Sequence, residues 1–447
     1  MATIVDTGAV AQRRGDDPRE RESVLLKIVA RSSVIKLAAR AGAAIAASAV
    51  MLLMVGTLLA AVVASETKLT ASDAEAGDVF GRVANSLALS GGTAVIGAYL
   101  SDDVGTSSGS AYIFVDDGTG WAEQAKLTAS DAAQNDLFGQ AVAISGDTVA
   151  IGSFFDDDRG SHSGSVYVYD RNGGTWPETA KLLADDGVAG DVLGISVAMS
   201  GNAILAGAWE RDDGAVDTGA AYVFRFDGTS WAQEAKLVAS DAAAADKLGR
   251  SVGIDGDVAV VGAPFADVGG ADSGAAYIFR WDGTSWSQEA KLVASDGDAN
   301  DWLGFSVGIS GDTAVVGAYR KGPGKDKGAV YVFRFDGTNW NQEAKLTASD
   351  AKNKDEFGFS VAIDGDRIVV GARRGDDGAK DTGAAYVFQR TGTVWSEDLK
   401  ILASDGAQDD FFGEAVSVFQ STVLVGAPLD DDAGSGSGSV YVYELTP

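Results

Sequence analysis

Trp231 to Trp286 reads WAQEAKLVASDAAAADKLGRSVGIDGDVAVVGAPFADVGGADSGAAYIFRWDGTSW, and at Trp286 the same series begins again. The Lys-Leu pair inside it, Lys-Ile once, recurs at Lys68, Lys126, Lys181, Lys236, Lys291, Lys345 and Lys400, so spacings of 54 to 58 residues define seven copies. Self-similarity at this period signals a repeat architecture, in which each copy is one supersecondary unit. Six of the lysines follow a tryptophan by five residues, from Trp121 to Trp395; the first copy has none.

Each copy reads as four short strands. The first, F/L-G-x-x-V-x-I as in Phe138–Ile144, alternates with period two. Ala or Gly lies between its larger apolar residues, which suits an innermost strand where sheets converge on an axis. A two-residue turn such as Gly146-Asp147 or Gly311-Asp312 tolerates positive φ and leads into V/I-x-x-G-A/S, as in Val315–Ala318. The third strand carries the tyrosines Tyr112, Tyr167, Tyr222, Tyr277, Tyr331, Tyr386 and Tyr441 after a Gly, and the fourth is W-x-x-E/D-x-K-L. The periodic Trp and Tyr read as packing between units.

Seven such units predict an all-β fold: a seven-bladed β-propeller of four-stranded blades. The last copy stops at Pro447 without a fourth strand, and Thr67–Thr70, T-K-L-T, supply one from the other end. The ring is therefore expected to be closed by an N-terminal strand, and to be preceded by one hydrophobic helix.

That helix is read from Ala41 to Ser65, 25 residues without a charge. Such a run exceeds the roughly 30 Å of a bilayer core at about 1.5 Å per residue. Residues 1–40 carry a net charge of +3, and Lys27, Arg31, Lys36 and Arg40 flank the apolar run with no acid after Glu22. The expected organisation is thus a basic cytoplasmic segment (1–40), a transmembrane helix or signal sequence (41–65) and an exported propeller (66–447). Small residues at Val62–Ser65 offer a cleavage site, so the expected product is either anchored N-in or secreted.

The 58 Gly, 6 Pro, 46% hydrophobic and 22% charged residues of this 447-residue chain fit a folded, turn-rich protein. It has no Cys and a single His, His162, which removes thiolate chemistry and multi-histidine zinc sites. A net charge of −29 speaks against nucleic acid as a partner.

The motifs F-G-x-S/A-V-A-I-S/D-G-D, V-V-G-A and G-A-A-Y-V-F resemble the FG-GAP repeats of the integrin alpha-chain propeller, and resemble the short bacterial forms of that repeat more closely still. The resemblance covers about Glu66 to Pro447 and implies adhesion or ligand binding. The integrin-type calcium loop between the first two strands has no counterpart, because that connection is only a tight turn such as Gly91-Gly92 or Gly201-Asn202. No calcium residue is carried over from the family.

Strand parity sends the connections from fourth to first strand, and from second to third, to one end of the propeller. Every fourth-to-first connection holds a D-x-x-x-x-D pair, from Asp73 and Asp78 to Asp405 and Asp410, read as structural acceptors of backbone N–H groups. The second-to-third loops vary between copies, which is where a ligand site is expected. Asp156, Asp158, Asp430 and Asp432 are the candidate metal ligands, with calcium as the cation, although the chain is expected to require no cofactor. Arg320–Lys327 is a basic counterpart in the fifth copy. Arg374-Gly375-Asp376 and Arg14-Gly15-Asp16 read as chance tripeptides, and His162 as a solvated side chain. Glu414 beside Gly413 is read as a surface residue.

The expectation for function is a non-enzymatic, exported propeller that binds an extracellular protein or glycan, held to the membrane through residues 41–65. The alternatives are a carboxylate-dependent hydrolase or lyase acting on polysaccharide, and a passive cell-surface protein.

Overall fold

The computed structural model describes residues 61–322, 324 and 326–446. They form 28 strands in seven four-stranded antiparallel sheets, and none of them is helical. Among them no helix is long and apolar enough to cross a membrane. The basic segment 1–40, Arg14-Gly15-Asp16 and most of the expected hydrophobic helix lie outside the described residues.

Blade four is representative. Its strands, called A to D from the axis outward, are Ser251–Asp255, Val258–Ala263, Ala275–Trp281 and Trp286–Leu292, each hydrogen-bonded to the next. Strand B is buried along its whole length in most blades, as in Thr93–Ala98 and Thr313–Ala318. Buried on both faces, it reads as a nearly continuous apolar run. Strand D alternates, and only its last apolar residue, such as Leu292, is fully covered.

The seams between blades explain the glycines. A Cβ on Gly97 of strand B would lie 1.8 Å from the carbonyl oxygen of Gly139 in the next blade, and one on Gly139 would meet Ser110 O at 2.2 Å. Only glycine lets these backbones approach so closely. The same pairing recurs round the ring and also joins the last blade to the first, where Gly426 faces Gly81. Between each pair of blades lies an apolar cluster; that of the last seam brings Leu424, Val440 and Val442 against Phe80, Ile96 and Tyr112.

The seventh sheet has the order Val62–Leu69, Ser439–Thr446, Thr422–Ala427, Ala415–Phe419. Val62–Leu69 runs antiparallel to Ser439–Thr446, with Lys68 opposite Tyr441 and Leu69 opposite Val440. This strand begins at Val62, so Val62–Ser65 are paired β residues rather than the end of an apolar helix, and Ala61 is already buried. Propeller structure therefore reaches four residues further toward the N-terminus than the boundary expected at Glu66.

Candidate functional site

At the end of the propeller where D-to-A and B-to-C connections emerge, the aspartates divide into sets with different partners. The second Asp of each D-x-x-x-x-D pair folds back on its own turn. Asp136 Oδ2 accepts the N–H of Ala133 at 2.6 Å, and Asp246 that of Ala243 at 2.8 Å. The first Asp does something else: it accepts the strand C tyrosine hydroxyl and the strand D lysine ammonium. In blade two, Asp131 takes Tyr167 Oη at 2.7 Å and Lys181 Nζ at 2.7 Å. Asp241 does the same with Tyr277 at 3.0 Å and Lys291 at 2.6 Å. The reading of these aspartates as structural acceptors thus holds, with backbone donors for one member and side-chain donors for the other.

The recurring lysines accordingly sit under the acidic face as internal cations. Partial burial works against the charge on Lys181, yet the hydrogen bonds it donates to Asp131, Asp156 and Asp158 hold its pKa above the usual lysine value. Burial likewise opposes ionisation of Asp131, but Lys181 and Tyr167 hold its carboxyl below the ordinary range. This pairing is periodic in sequence at a distance of about fifty residues, so the Lys-Leu repeat carried the signal without naming its partner.

The four expected metal ligands are brought together in two triads, Asp131 with Asp156 and Asp158, and Asp405 with Asp430 and Asp432. In both, a lysine ammonium occupies the space between the oxygens. Lys181 Nζ is 2.7, 2.8 and 2.6 Å from the first three. Lys68 Nζ is 2.9 Å from Asp405 and 2.8 Å from Asp430, and also contacts Asp432. In the basic loop of the fifth copy, Lys321 is buried, its Nζ 2.8 Å from Asp301 and 3.1 Å from Asp298.

Other aspartates of the B-to-C loops staple those loops. Asp157 Oδ1 accepts the His162 N–H at 2.7 Å, and Asp267 Oδ1 that of Asp272 at 2.8 Å. His162 is exposed, as expected, and stacks on Phe155 with ring centroids 4.1 Å apart. Arg374-Gly375-Asp376 is tied inward: Arg374 Nε is 3.3 Å from Glu356, and Asp376 Oδ1 accepts the Asp381 N–H at 2.9 Å.

Around the axis on this face lies a second group of side chains. In every blade the residue before F/L-G has a left-handed backbone, with φ of 55° at Lys247 and 58° at Trp302 and Glu356. The residue after that glycine leads into strand A, as Arg250 does at Ser251, and the one after strand B starts the B-to-C loop. These registers meet from blade to blade. The guanidinium of Arg250 lies 4.2 Å from the Phe305 ring centre and 5.4 Å from that of Trp209. Phe305 packs on Tyr319 at 4.6 Å and Phe359 at 5.1 Å, with Trp302 beside them. Arg373 lies over Phe359 at 3.7 Å and hydrogen-bonds Glu356 at 2.6 Å. Its guanidinium also approaches Glu414 at 3.6 Å, with Arg82 at 3.7 Å on the other side.

Glu414 corrects an expectation. It is only 4% exposed, not a surface residue, because its position after F-G turns toward the axis between Arg82 and Arg373. Burial pushes its carboxyl above the usual glutamate value, against the pull of Arg373 and Arg82. The mouth was missed because its members differ in type from copy to copy, and a repeat comparison registers what recurs. Reading the F/L-G-x register down the copies, Arg82, Gln140, Ile195, Arg250, Phe305, Phe359 and Glu414, was the available signal.

A family model described as FG-GAP repeat matches residues 63–114, 121–169, 176–224, 231–279, 286–333, 340–388 and 395–443. No curated protein is matched by the chain.

Proposed function

Since the chain belongs to the FG-GAP repeat family, we propose that it is a recognition protein, exported and without catalytic activity, whose extracellular ligand seats at the axial mouth. The observation that carries this reading is the contrast between two parts of one face. The periodic aspartates are engaged by lysines, tyrosines and backbone N–H groups. The mouth combines side chains that vary between blades with arginines and the partly exposed rings of Trp209 and Trp302, the composition of binding hot spots.

Chain geometry supports presentation of that face. Val62 opens the last blade's outer strand and Thr446 ends its neighbour, and the two are paired at the end opposite the acidic loops. Cleavage within Val62–Ser65 would remove paired residues of this strand, which favours retention of residues 41–61 as a membrane anchor over release at that point.

A screen of the full chain against immobilised glycans and matrix proteins tests the proposal. A saturable ligand whose binding is weakened by substitutions at Phe305 or Tyr319 is expected. Absence of any saturable ligand would leave the passive surface protein as the better description.

A second reading, hydrolysis or lysis of polysaccharide, draws on one observation: Glu414 is buried, raised in pKa, and bridged by Arg373 to a second carboxylate, Glu356. Release of new reducing or unsaturated ends by the wild type, abolished in Glu414→Gln, would favour it over recognition alone.

A further inference from the structure

Among the described residues, two hydrogen-bond donors of the axial mouth have no acceptor. Arg250 has no carboxylate within 4 Å among the described residues, although its guanidinium is pressed between the rings of Phe305 and Trp209. The indole N–H of Trp302, buried in the same cluster, has no acceptor among the described residues either. A desolvated charge and an unmet donor both cost stability unless something supplies oxygens. Crowding has a visible consequence: burial brings the pKa of Arg250 down to about 10, with Tyr319 acting against it and the neighbouring Arg373 adding to it.

The local charge balance points the same way. Lys247 is paired with Glu210 at 3.2 Å, and Arg373 is shared between Glu356 and Glu414. Arg82 lies beyond Glu414, and Arg320 stacks on Trp302 at 4.4 Å with its nearest acid, Asp326, 3.9 Å away. Each of these cations has an acid within 4 Å, whereas Arg250 has none among the described residues, in a protein whose net charge is −29. An unpaired cation within an acidic rim focuses anions on one point.

We propose that the mouth binds the carboxylate of an acidic saccharide, with a hexuronate ring lying on the partly exposed Trp302 ring, which Phe305 and Tyr319 back from within, and its carboxylate meeting the Arg250 guanidinium. Arginine's planar fork donates two parallel hydrogen bonds to a carboxylate. The Trp302 ring covers the apolar face of a pyranose as it would any flat, partly apolar body. The inference rests on the recognition role above and names its ligand class.

The test titrates full-length protein with a galacturonate tetrasaccharide and, separately, a neutral galactose tetrasaccharide, following tryptophan fluorescence and heat. Arg250→Gln and Arg250→Lys are compared, with melting curves to establish that each is folded. The proposal expects saturable binding of the acidic probe only, weakened about tenfold or more by Arg250→Gln and less by Arg250→Lys. Equal binding of both probes, or acidic binding unchanged in folded Arg250→Gln, would overturn the anion assignment while leaving recognition by the mouth standing. Binding of neither probe would overturn the saccharide assignment, and the glycan and matrix-protein screen would still judge recognition independently.

Discussion

Lys68 Nζ lies 2.8 Å from Asp430 Oδ2 although 362 residues separate them in sequence. Lys181 makes the same contact with Asp156, also at 2.8 Å, inside a single blade. The outer strand of the seventh blade is thus bonded like that of the second, down to its half-buried ammonium, although it comes from the far end of the chain.

Removal of this strand gives the first prediction. Deleting Val62–Leu69 strips the pairing to Ser439–Thr446 and strands Asp405 and Asp430 without their lysine. The melting temperature falls by about 10 °C or more, against the small change expected of an ordinary terminal trim. Scanning calorimetry of the two proteins decides it, and equal melts would show that the strand is dispensable.

The lysines make a prediction about metal. Because Lys181 Nζ already sits among Asp131, Asp156 and Asp158, millimolar Ca²⁺ leaves the wild-type melting temperature where an equal ionic strength of NaCl leaves it. Lys181→Met leaves three carboxylates facing one another and costs about 1 to 3 kcal/mol. Ca²⁺ restores part of that loss in the variant. A rise in wild-type stability that saturates with Ca²⁺, about 2.7 kcal/mol at one hundred times the dissociation constant, would mean that metal displaces the lysine.

Stability depends on pH with two opposed signs. Burial lifts the carboxyl of Asp136 to about 6, opposed by the Ala133 N–H and aided by Asp156 and Asp157. Burial also raises Asp78, Asp246, Asp355 and Asp410. These groups bind protons more tightly folded than unfolded, so stability grows as the pH falls through about 6. Asp73, Asp131, Asp241 and Asp350 are lowered, their pairing with lysine and tyrosine outweighing burial. Their contribution is complete above the unfolded aspartate value and lost below it. Thermal melts therefore peak near pH 5, between neutral pH and about pH 4; a steady decline from pH 7 downward would contradict the assignment of the buried set.

The seams predict a contrast between two glycines. Gly97→Ala drives a Cβ to 1.8 Å from Gly139 O and costs about 3 kcal/mol or more. Gly228→Ala, at φ 97° with nothing within 4 Å of the new carbon, costs only about 1 to 2 kcal/mol of backbone strain. Urea unfolding of both variants reads the difference.

Recurrence in the sequence made the blades legible. Tyr112 to Tyr441, the Gly-Ala or Gly-Ser ends of strand B and the six Lys-Leu pairs with the one Lys-Ile marked blade number, strand order and the loops that share a face. Three features escaped because each joins residues that no local pattern connects. Lys181 meets Asp131 across fifty residues; Val62–Ser65, small and apolar, suit a strand edge as well as the end of an apolar helix; and Glu414 was judged by its unlike equivalents Arg82 and Arg250 rather than by the axis toward which all three converge.

Hydrogen exchange on the full chain, with and without the ligand selected by the glycan and matrix-protein screen, tests the mouth most directly. The account predicts slowed exchange at Lys247–Arg250, Trp302–Phe305 and Tyr319–Lys321, with the loops at Asp156–Asp158 and Asp430–Asp432 unchanged. Slowing confined to those two loops, or to the opposite end of the propeller, would contradict it.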